Sequence, residues 1–163
     1  MTRRDAVAEE SVDEITDALL TASRLLVAMS ARSIAHVDET ITIPQFRTLV
    51  ILSTRGPSKI ATLAGQLNVQ PSTATRMVDR LVIAGLLDRQ TNPHSRRELI
   101  VELTDRGREV VAAVIARRRR EIAAVVARMP AADRSGMLRA LTAFSAAGGE
   151  EHSGIIDVEG YQL

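Results

Sequence analysis

Apolar side chains recur at helical spacing through most of the chain. The first long segment begins with Ser11 and Glu14 at the spacing of a capping box, in which each side chain satisfies a free backbone amide of the other residue. Apolar residues follow at alternate steps of three and four, namely Val12, Ile15, Leu19, Ala22, Leu26 and Met29. Because this spacing places them on one narrow stripe, it predicts a helix ending near His36 that packs against another helix.

A second helix has its own start and stop signals. Thr42 and Gln45 repeat the capping pattern, and Pro44 lies in the first turn, where its missing N–H group costs nothing. Apolar residues then occupy one side of the segment, and the sequence Arg55-Gly56-Pro57 is expected to end it. The pattern predicts a helix between about residues 43 and 55.

The next two helices are separated by a very short turn. Ser58 is predicted to cap a short third helix, and Asn68 occupies the position of a left-handed C-cap. Pro71 then starts a fourth helix, and the small Ala64 allows the two helices to approach closely where they cross. A short helix, a tight turn and a second helix predict a helix-turn-helix.

The fourth helix resolves into two faces at 100° per residue. The predicted buried face consists of Ala74, Met77, Val78 and Leu81. The outward face carries small hydroxyl side chains and charged residues, namely Ser72, Thr75, Arg76 and Asp79, with Thr73 and Arg80 at its margin. A surface of this composition is suited to entering a nucleic-acid groove.

After Gly85 the apolar spacing changes from helical to alternating. The segments 86–89 and 99–103 are predicted to be strands, the second with Leu99, Val101 and Leu103 on one side. The polar segment 90–97 between them is predicted to be a hairpin tip carrying Arg96 and Arg97. This hairpin has the form of a wing beside the helix-turn-helix.

Two long helices are predicted to close the chain. Thr104 caps the fifth helix, whose apolar positions form a coiled-coil-like seam interrupted by one arginine, namely Val111, Ile115, Arg118, Ile122, Val125 and Met129. A final helix from about Ala132 to Ala147 carries Met137, Leu138, Leu141 and Phe144. Residues 148–163 form an acidic tail that we expect to be poorly ordered.

Composition excludes several classes of function. The chain has 163 residues, 45% apolar and 25% charged, which is typical of a globular protein. It has three aromatic residues and no cysteine, which excludes base-stacking surfaces, disulfides and Cys-ligated zinc. We expect an intracellular, cytoplasmic protein, because a chain without cysteine gives no reason to expect an oxidising compartment. We also expect it to be soluble, since no uncharged apolar stretch approaches the roughly 20 residues that span a bilayer.

Net charge is +1, but it is distributed unevenly. Residues 1–40 and 148–163 each sum to −4, whereas residues 41–108 sum to +5 and residues 109–147 to +4. The middle of the chain is therefore where a polyanion would bind. The run Arg117–Arg120 cannot form one basic patch, because four consecutive helical residues point in four directions.

No residue set for catalysis or for a cofactor is apparent. The cluster of His36, Asp38 and Glu39 contains metal-ligand residue types, but neighbours at a helix end seldom converge on one ion, so we expect no metal. The chain lacks a Ser/His/Asp set, a P-loop and a dinucleotide-binding glycine motif. We therefore expect neither an enzyme nor a cofactor.

Five segments in order carry a family resemblance. The segments 60–67 (IATLAGQL), 71–81 (PSTATRMVDRL), 84–89 (AGLLDR), 92–97 (NPHSRR) and 103–107 (LTDRG) resemble the MarR family of bacterial winged-helix transcriptional regulators. The resemblance implies a mainly α fold with a small β-hairpin wing and one domain over residues 11–147. Within that domain, residues 42–104 would form the winged helix-turn-helix core, and residues 11–37 and 104–147 the dimerisation helices, with flexible tails at 1–10 and 148–163.

The chain departs from the family pattern in the wing and before the fourth helix. Ser95 stands where the family usually has an aspartate before the arginine pair, and Asn92 stands where another acid is common. Gln70 occupies an N-cap position that is usually Ser or Thr, so the cap is weaker and the amide is free for an adenine edge. The predicted DNA-binding residues are Gln70, Ser72, Thr73, Thr75, Arg76, Arg80, Arg96 and Arg97.

The predicted function is sequence-specific binding of double-stranded DNA by a homodimer on a roughly palindromic operator, with repression relieved by a ligand. The predicted dimer interface includes Ile15, Leu19, Ile122, Val125, Leu141 and Phe144. The resemblance suggests a small aromatic or phenolic acid as effector, with His36 and Arg47 near its carboxylate. The alternative is a winged-helix module that binds a protein partner, since a fold does not fix a function.

Overall fold

The computed structural model describes residues 11–92 and 95–149, with the side chains of residues 96–98 left out. Six helices and one hairpin follow in the order α1 (Val12–Val37), α2 (Ile43–Arg55), α3 (Ile60–Leu67), α4 (Pro71–Ile83), β1 (Leu87–Asn92), β2 (Ser95–Leu103), α5 (Asp105–Arg128) and α6 (Ala131–Ala147). The predicted mainly α fold with a hairpin wing is therefore confirmed. The predicted tails at residues 1–10 and 150–163 lie outside the described residues.

The capping signals act as the sequence predicts in α1 and α2. The Ser11 hydroxyl accepts from the Glu14 amide at 3.1 Å, and the Glu14 carboxylate accepts from the Ser11 amide at 3.0 Å. This backbone hydrogen bond from Ser11 lowers the pKa of Glu14. Thr42 and Gln45 form the same reciprocal pair at the start of α2. Both helix starts are thus determined by local sequence.

The predicted cap of α3 is wrong. Lys59 is the N-cap residue and provides no side-chain hydrogen bond. Ser58 instead pairs with β2, because its amide donates to the Val101 carbonyl at 3.0 Å and its carbonyl accepts from the Val101 amide at 2.8 Å. The chain entering the helix-turn-helix is therefore fastened to the base of the wing.

The wing strands are longer than the sequence predicts. The antiparallel register pairs Leu87 with Leu103 and Thr91 with Leu99, and it shifts at Asn92, which pairs with Ser95. The segment 90–97 was predicted to be a hairpin tip, but most of it continues the two strands. Leu99 shares a strand face with the buried Val101 but is itself exposed, because the hairpin extends beyond the body of the protein there.

One hydrophobic core joins the winged helix-turn-helix to parts of two long helices. Its buried residues come from the end of α1, from α2, α3 and α4, from both strands and from the first half of α5. Leu49, Leu63 and Leu86 have no exposed surface, and Leu81 is 1% exposed. The first half of α1 and all of α6 contribute no buried residue. The core therefore leaves two long helical surfaces uncovered.

Among the described residues, α1 has the length and apolar composition of a membrane-spanning helix. The same composition is typical of a helix that packs within a protein, and here Met29, Ser33 and Ile34 are buried. Arg24 and Arg32 would both lie within such a span, where charged side chains are costly. We interpret the apolar length of α1 as a packing surface.

The start of α5 approaches the segment after α4 very closely. The Thr104 hydroxyl accepts from the Gly107 amide at 3.0 Å and donates to the Gly85 carbonyl at 2.7 Å. The Thr104 amide donates to the Leu86 carbonyl at 3.1 Å. A Cβ atom on Gly107 would overlap that same carbonyl oxygen, so this position requires glycine for space.

We therefore predict that Gly107→Ala destabilises the fold. The overlap is with backbone, which cannot move aside easily, so the free energy of unfolding should fall by about 1–3 kcal/mol. Gly65→Ala is the matched control, because a Cβ there meets nothing within 4 Å. It should gain up to about 1 kcal/mol as a helical glycine replacement. Urea unfolding measures both, and equal stability of the two variants would contradict the prediction.

Candidate nucleic-acid interface

A tight turn sets the angle between α3 and α4. Asn68 adopts the predicted left-handed conformation, with φ of 55° and ψ of 47°. The Val69 amide donates to the Ala64 carbonyl at 3.0 Å and closes the end of α3. Pro71 begins α4, and the Gln70 side chain makes no capping hydrogen bond, as predicted. The exposed Gln70 amide is thus available beside the first turn of α4.

The two faces of α4 match the sequence prediction except at Met77, which was expected on the buried face and is half-buried. Ala74, Val78 and Leu81 are buried in the core and fix the rotation of the helix about its axis. The opposite side exposes Ser72, Thr75, Arg76 and Arg80, while Thr73, Met77 and Asp79 are half-buried at its margins. Because the buried face is fully packed, the outward side chains are presented on a rigid support.

Hydrogen bonds within α4 orient two of the outward side chains. The Thr75 hydroxyl donates to the Pro71 carbonyl at 2.9 Å. The Arg76 Nε donates to the Ser72 carbonyl at 3.4 Å, so the guanidinium lies along the exposed face. Its terminal nitrogens are the donors that pair with two acceptors of one base edge.

A shallow depression of about 360 Å³ lies between α4 and the start of α2. Thr73, Arg76 and Arg80 form one wall, and Thr42, Pro44 and Gln45 form the other. Met77 also lines the depression, and its Sδ lies 3.2 Å from the Thr48 hydroxyl, which donates to the Pro44 carbonyl at 3.0 Å. Two guanidinium groups beside an open depression attract an anion such as a DNA phosphate.

The wing arginines lie in a strand and not at the hairpin tip. Arg96 and Arg97 belong to β2, and their side chains lie outside the described part of the chain. Their predicted DNA contact therefore stays a prediction.

Sequence reasoning missed an ion pair between α4 and the wing. The Arg89 Nη2 donates to the Asp79 Oδ1, which joins β1 to the outward side of α4. The sequence indicated that Asp79 faces outward but contained no signal for its partner. The pairing depends on where the hairpin lies relative to α4, which is a tertiary property.

Glu121 on α5 forms one ion pair with α1 and a second within its own helix. Glu121 contacts Arg32 at 3.5 Å and Arg117 at 3.2 Å. Arg117 and Arg118 are half-buried, whereas Arg119 and Arg120 are exposed. This difference in burial agrees with arginine side chains that point in different directions.

The remaining predicted site residues are not brought into one described pocket. His36 and Arg47 are exposed, on α1 and α2. Ile15, Leu141 and Phe144 are exposed, while Leu19, Ile122 and Val125 are half-buried. In residues 11–92 and 95–149, no group of three His, Asp or Glu side chains is arranged to hold a metal ion.

The chain is similar to known regulators in sequence and in fold. The MarR family profile matches residues 41–99. An uncharacterised HTH-type transcriptional regulator of Bacillus subtilis, YkoM, is 30% identical over 102 residues, which are 62% of this chain and 66% of YkoM. Two other curated Bacillus subtilis relatives match over less than half their length.

Solved structures extend the likeness to nearly the whole chain. The crystal structure of RV1404 from Mycobacterium tuberculosis is 68% identical, with a TM-score of 0.83, and covers 89% of this chain and 99% of that one. A MepR mutant from S. aureus bound to an oligodeoxyribonucleotide shares the fold at 18% identity, with a TM-score of 0.63, over 82% of this chain and 96% of that one. On the family profile, the curated regulators and the winged-helix fold together, the chain belongs to the MarR family, whose members are transcriptional regulators and not enzymes.

Proposed function

We propose that this protein is a sequence-specific, double-stranded DNA-binding transcriptional repressor that acts as a homodimer. The observation that carries the proposal is the outward face of α4, where Ser72, Arg76 and Arg80 are exposed on a helix anchored by a fully buried opposite side. Family membership and the DNA-bound MepR relative of the same fold support it. Charge also supports it, because the basic excess lies in residues 41–147.

In this proposal α4 enters the major groove and reads base edges. Arg76 is the residue suited to guanine, because a guanidinium donates to both O6 and N7 of that base. Gln70, Ser72, Thr73 and Thr75 lie on the first turns of α4, which is the part of a recognition helix nearest the bases. The wing, with Arg96 and Arg97, reaches the adjacent minor groove, whose negative potential attracts arginine.

Selection of bound duplexes from a random DNA library tests the proposed function directly. We expect enrichment of a roughly palindromic site whose half-sites are one helical turn apart. The controls are the unselected library and the same protein at raised salt, which weakens phosphate contacts. Absence of any enriched sequence would contradict the proposal and would favour the alternative of a winged-helix module for a protein partner.

Arg76 and Arg97 should contribute to binding in different ways. Arg76→Ala should remove a base contact worth about 1–3 kcal/mol and relax preference at one position of each half-site. Arg97→Ala should weaken binding to all duplexes evenly and make the salt dependence shallower by about one unit per lost contact. The measurement is affinity for the selected site and for point-mutated sites at several salt concentrations. An unchanged base preference in Arg76→Ala would show that Arg76 does not lie on the side of α4 that contacts the bases.

The dimer in this proposal covers the helical surfaces that the monomer core leaves uncovered. Large apolar side chains are exposed on α6 and on the part of α1 that precedes the buried Met29, namely Val12, Ile15, Leu20, Leu25, Leu26, Leu138, Leu141 and Phe144. Exposed apolar patches of this extent mark interaction sites. The half-buried seam of Leu19, Ile122 and Val125 extends the same surface. A second copy is the proposed occupant because DNA-binding dimers match palindromic sites.

We predict that Phe144→Asp weakens dimerisation about tenfold or more, because its side chain is 57% exposed in the monomer and a charge cannot be buried in an apolar interface. Ile83→Asp is the control, since Ile83 is 86% exposed but lies at the end of α4. Sedimentation equilibrium measures both. A parent protein that is monomeric at micromolar concentration would contradict the dimer.

The proposed effector is a small aromatic or phenolic acid, held between the dimer helices and the winged core, with its carboxylate near His36 and Arg47. No thiol switch is available, because the chain has no cysteine. Such a repressor acts on promoter DNA, so the proposal includes a cytoplasmic location.

We expect salicylate, used as the probe acid, to weaken binding to the selected site, and Arg47→Ala to lose most of that response while keeping its affinity without the acid. Arg55→Ala, also an exposed arginine of α2, is the control. Fluorescence anisotropy with and without salicylate measures both variants. An unchanged response in Arg47→Ala would contradict this role.

A further inference from the structure

We propose that Asp79 limits sequence-independent binding to DNA by holding Arg89 in an ion pair beside the DNA-facing side of α4. The inference rests on the proposed function, because it requires that α4 faces DNA. It assigns to Asp79 a positioning role that acts through Arg89.

The geometry of the pair is the first observation. Asp79 lies one turn after Arg76 on the outward side of α4, and Arg89 lies on β1. The Arg89 Nη2 donates to the Asp79 Oδ1, and the two side chains are 35% and 44% exposed. The pair therefore joins the recognition helix to the wing at the edge of the surface that would meet the DNA.

The neighbouring carboxylate does not compete for the Arg89 guanidinium. The Asp88 Oδ1 accepts from the backbone amide of Arg89 at 2.8 Å. Its other oxygen accepts from the Gln90 Nε2 at 2.9 Å. Asp88 is thus directed to its own strand, and Asp79 is the carboxylate that holds the guanidinium.

The pair has little to contribute to stability. Both side chains are partly exposed, and solvent screens ion pairs of this kind so that they add little to the free energy of folding. A carboxylate at this place also opposes DNA binding, because the phosphate backbone is negative. The consequence of the ion pair is that Arg89, which lies near the groove, cannot bind a phosphate.

Releasing Arg89 should therefore strengthen binding to DNA without changing which base sequence is preferred. A phosphate contact carries no sequence information, so an added contact raises affinity for any duplex by the same factor. Each added contact also steepens the dependence of log affinity on log salt by about 0.9. A merely structural role of the pair predicts the opposite, which is weaker binding on its loss.

The test measures affinity for a scrambled duplex at several salt concentrations, by fluorescence anisotropy. We expect Asp79→Asn to bind about tenfold more tightly than the parent at low salt, with a salt slope steeper by about two for a dimer. Asp105→Asn is the matched control: it removes the same charge from another exposed aspartate–arginine pair, with Arg108 on α5. It should bind like the parent.

Arg89→Gln provides a second, independent variant. It leaves the Asp79 carboxylate uncompensated near the phosphates, so scrambled-duplex affinity should fall several-fold. The double variant Asp79→Asn/Arg89→Gln should return close to the parent. A double variant as weak as Arg89→Gln would mean that Arg89 already contacts DNA in the parent, and it would overturn the inference.

The outcomes distinguish failure of the Asp79 inference from failure of the proposed DNA-binding function. If the parent binds duplex DNA and Asp79→Asn is no tighter than Asp105→Asn, the inference fails while the proposed function stands. If the parent binds no duplex, the proposed function itself fails. Affinity and salt slope that both rise in Asp79→Asn, with base preference unchanged, support the inference.

Discussion

The close approach between the chain at Leu86 and the start of α5 is the constraint on which the arrangement of the site depends. Leu86 is fully buried, and its amide donates to the Leu81 carbonyl at 2.9 Å, which closes α4. Its carbonyl accepts from Thr104, and Gly107 leaves the space that this carbonyl occupies. One short segment therefore fixes the end of the recognition helix, the start of the wing and the start of α5 relative to each other.

The rigidity of this junction has consequences for the DNA-facing surface. Because α4 cannot rotate while Ala74, Val78 and Leu81 are packed, Arg76 and Arg80 stay directed away from the core. The Ser58–Val101 pairing fastens the wing base to the entry of α3. The helix-turn-helix and wing thus form one body, as binding to two neighbouring grooves requires.

The long helices connect the winged core to the surfaces that lie outside it. The first half of α5 contributes Val110, Val111 and Val114 to the core, and further along the helix Glu121 contacts Arg32 of α1. A movement of one long helix would therefore be transmitted to the junction at Thr104. In the proposed homodimer, this continuity is the route by which the proposed effector would alter the spacing of the two recognition helices.

The sequence by itself determined the features that rest on contacts between residues close together in the chain. Capping boxes at Ser11 and Thr42, the left-handed turn at Asn68 and the two faces of α4 are local, because each rests on contacts within a few residues or on helical period. Arg76 and its outward neighbours were therefore predictable as candidate DNA-binding residues.

Only the tertiary structure decided what depends on residues distant in sequence. Ser58 has the residue type of a cap, but Val101 offers it a strand pairing that local sequence cannot reveal. The wing strands continue past their apolar residues because pairing across the hairpin satisfies the backbone of polar positions. The Asp79–Arg89 pair likewise exists because the fold brings β1 beside α4, and the physical reason is the same: backbone and charged groups bind whichever partner the packed core places within reach.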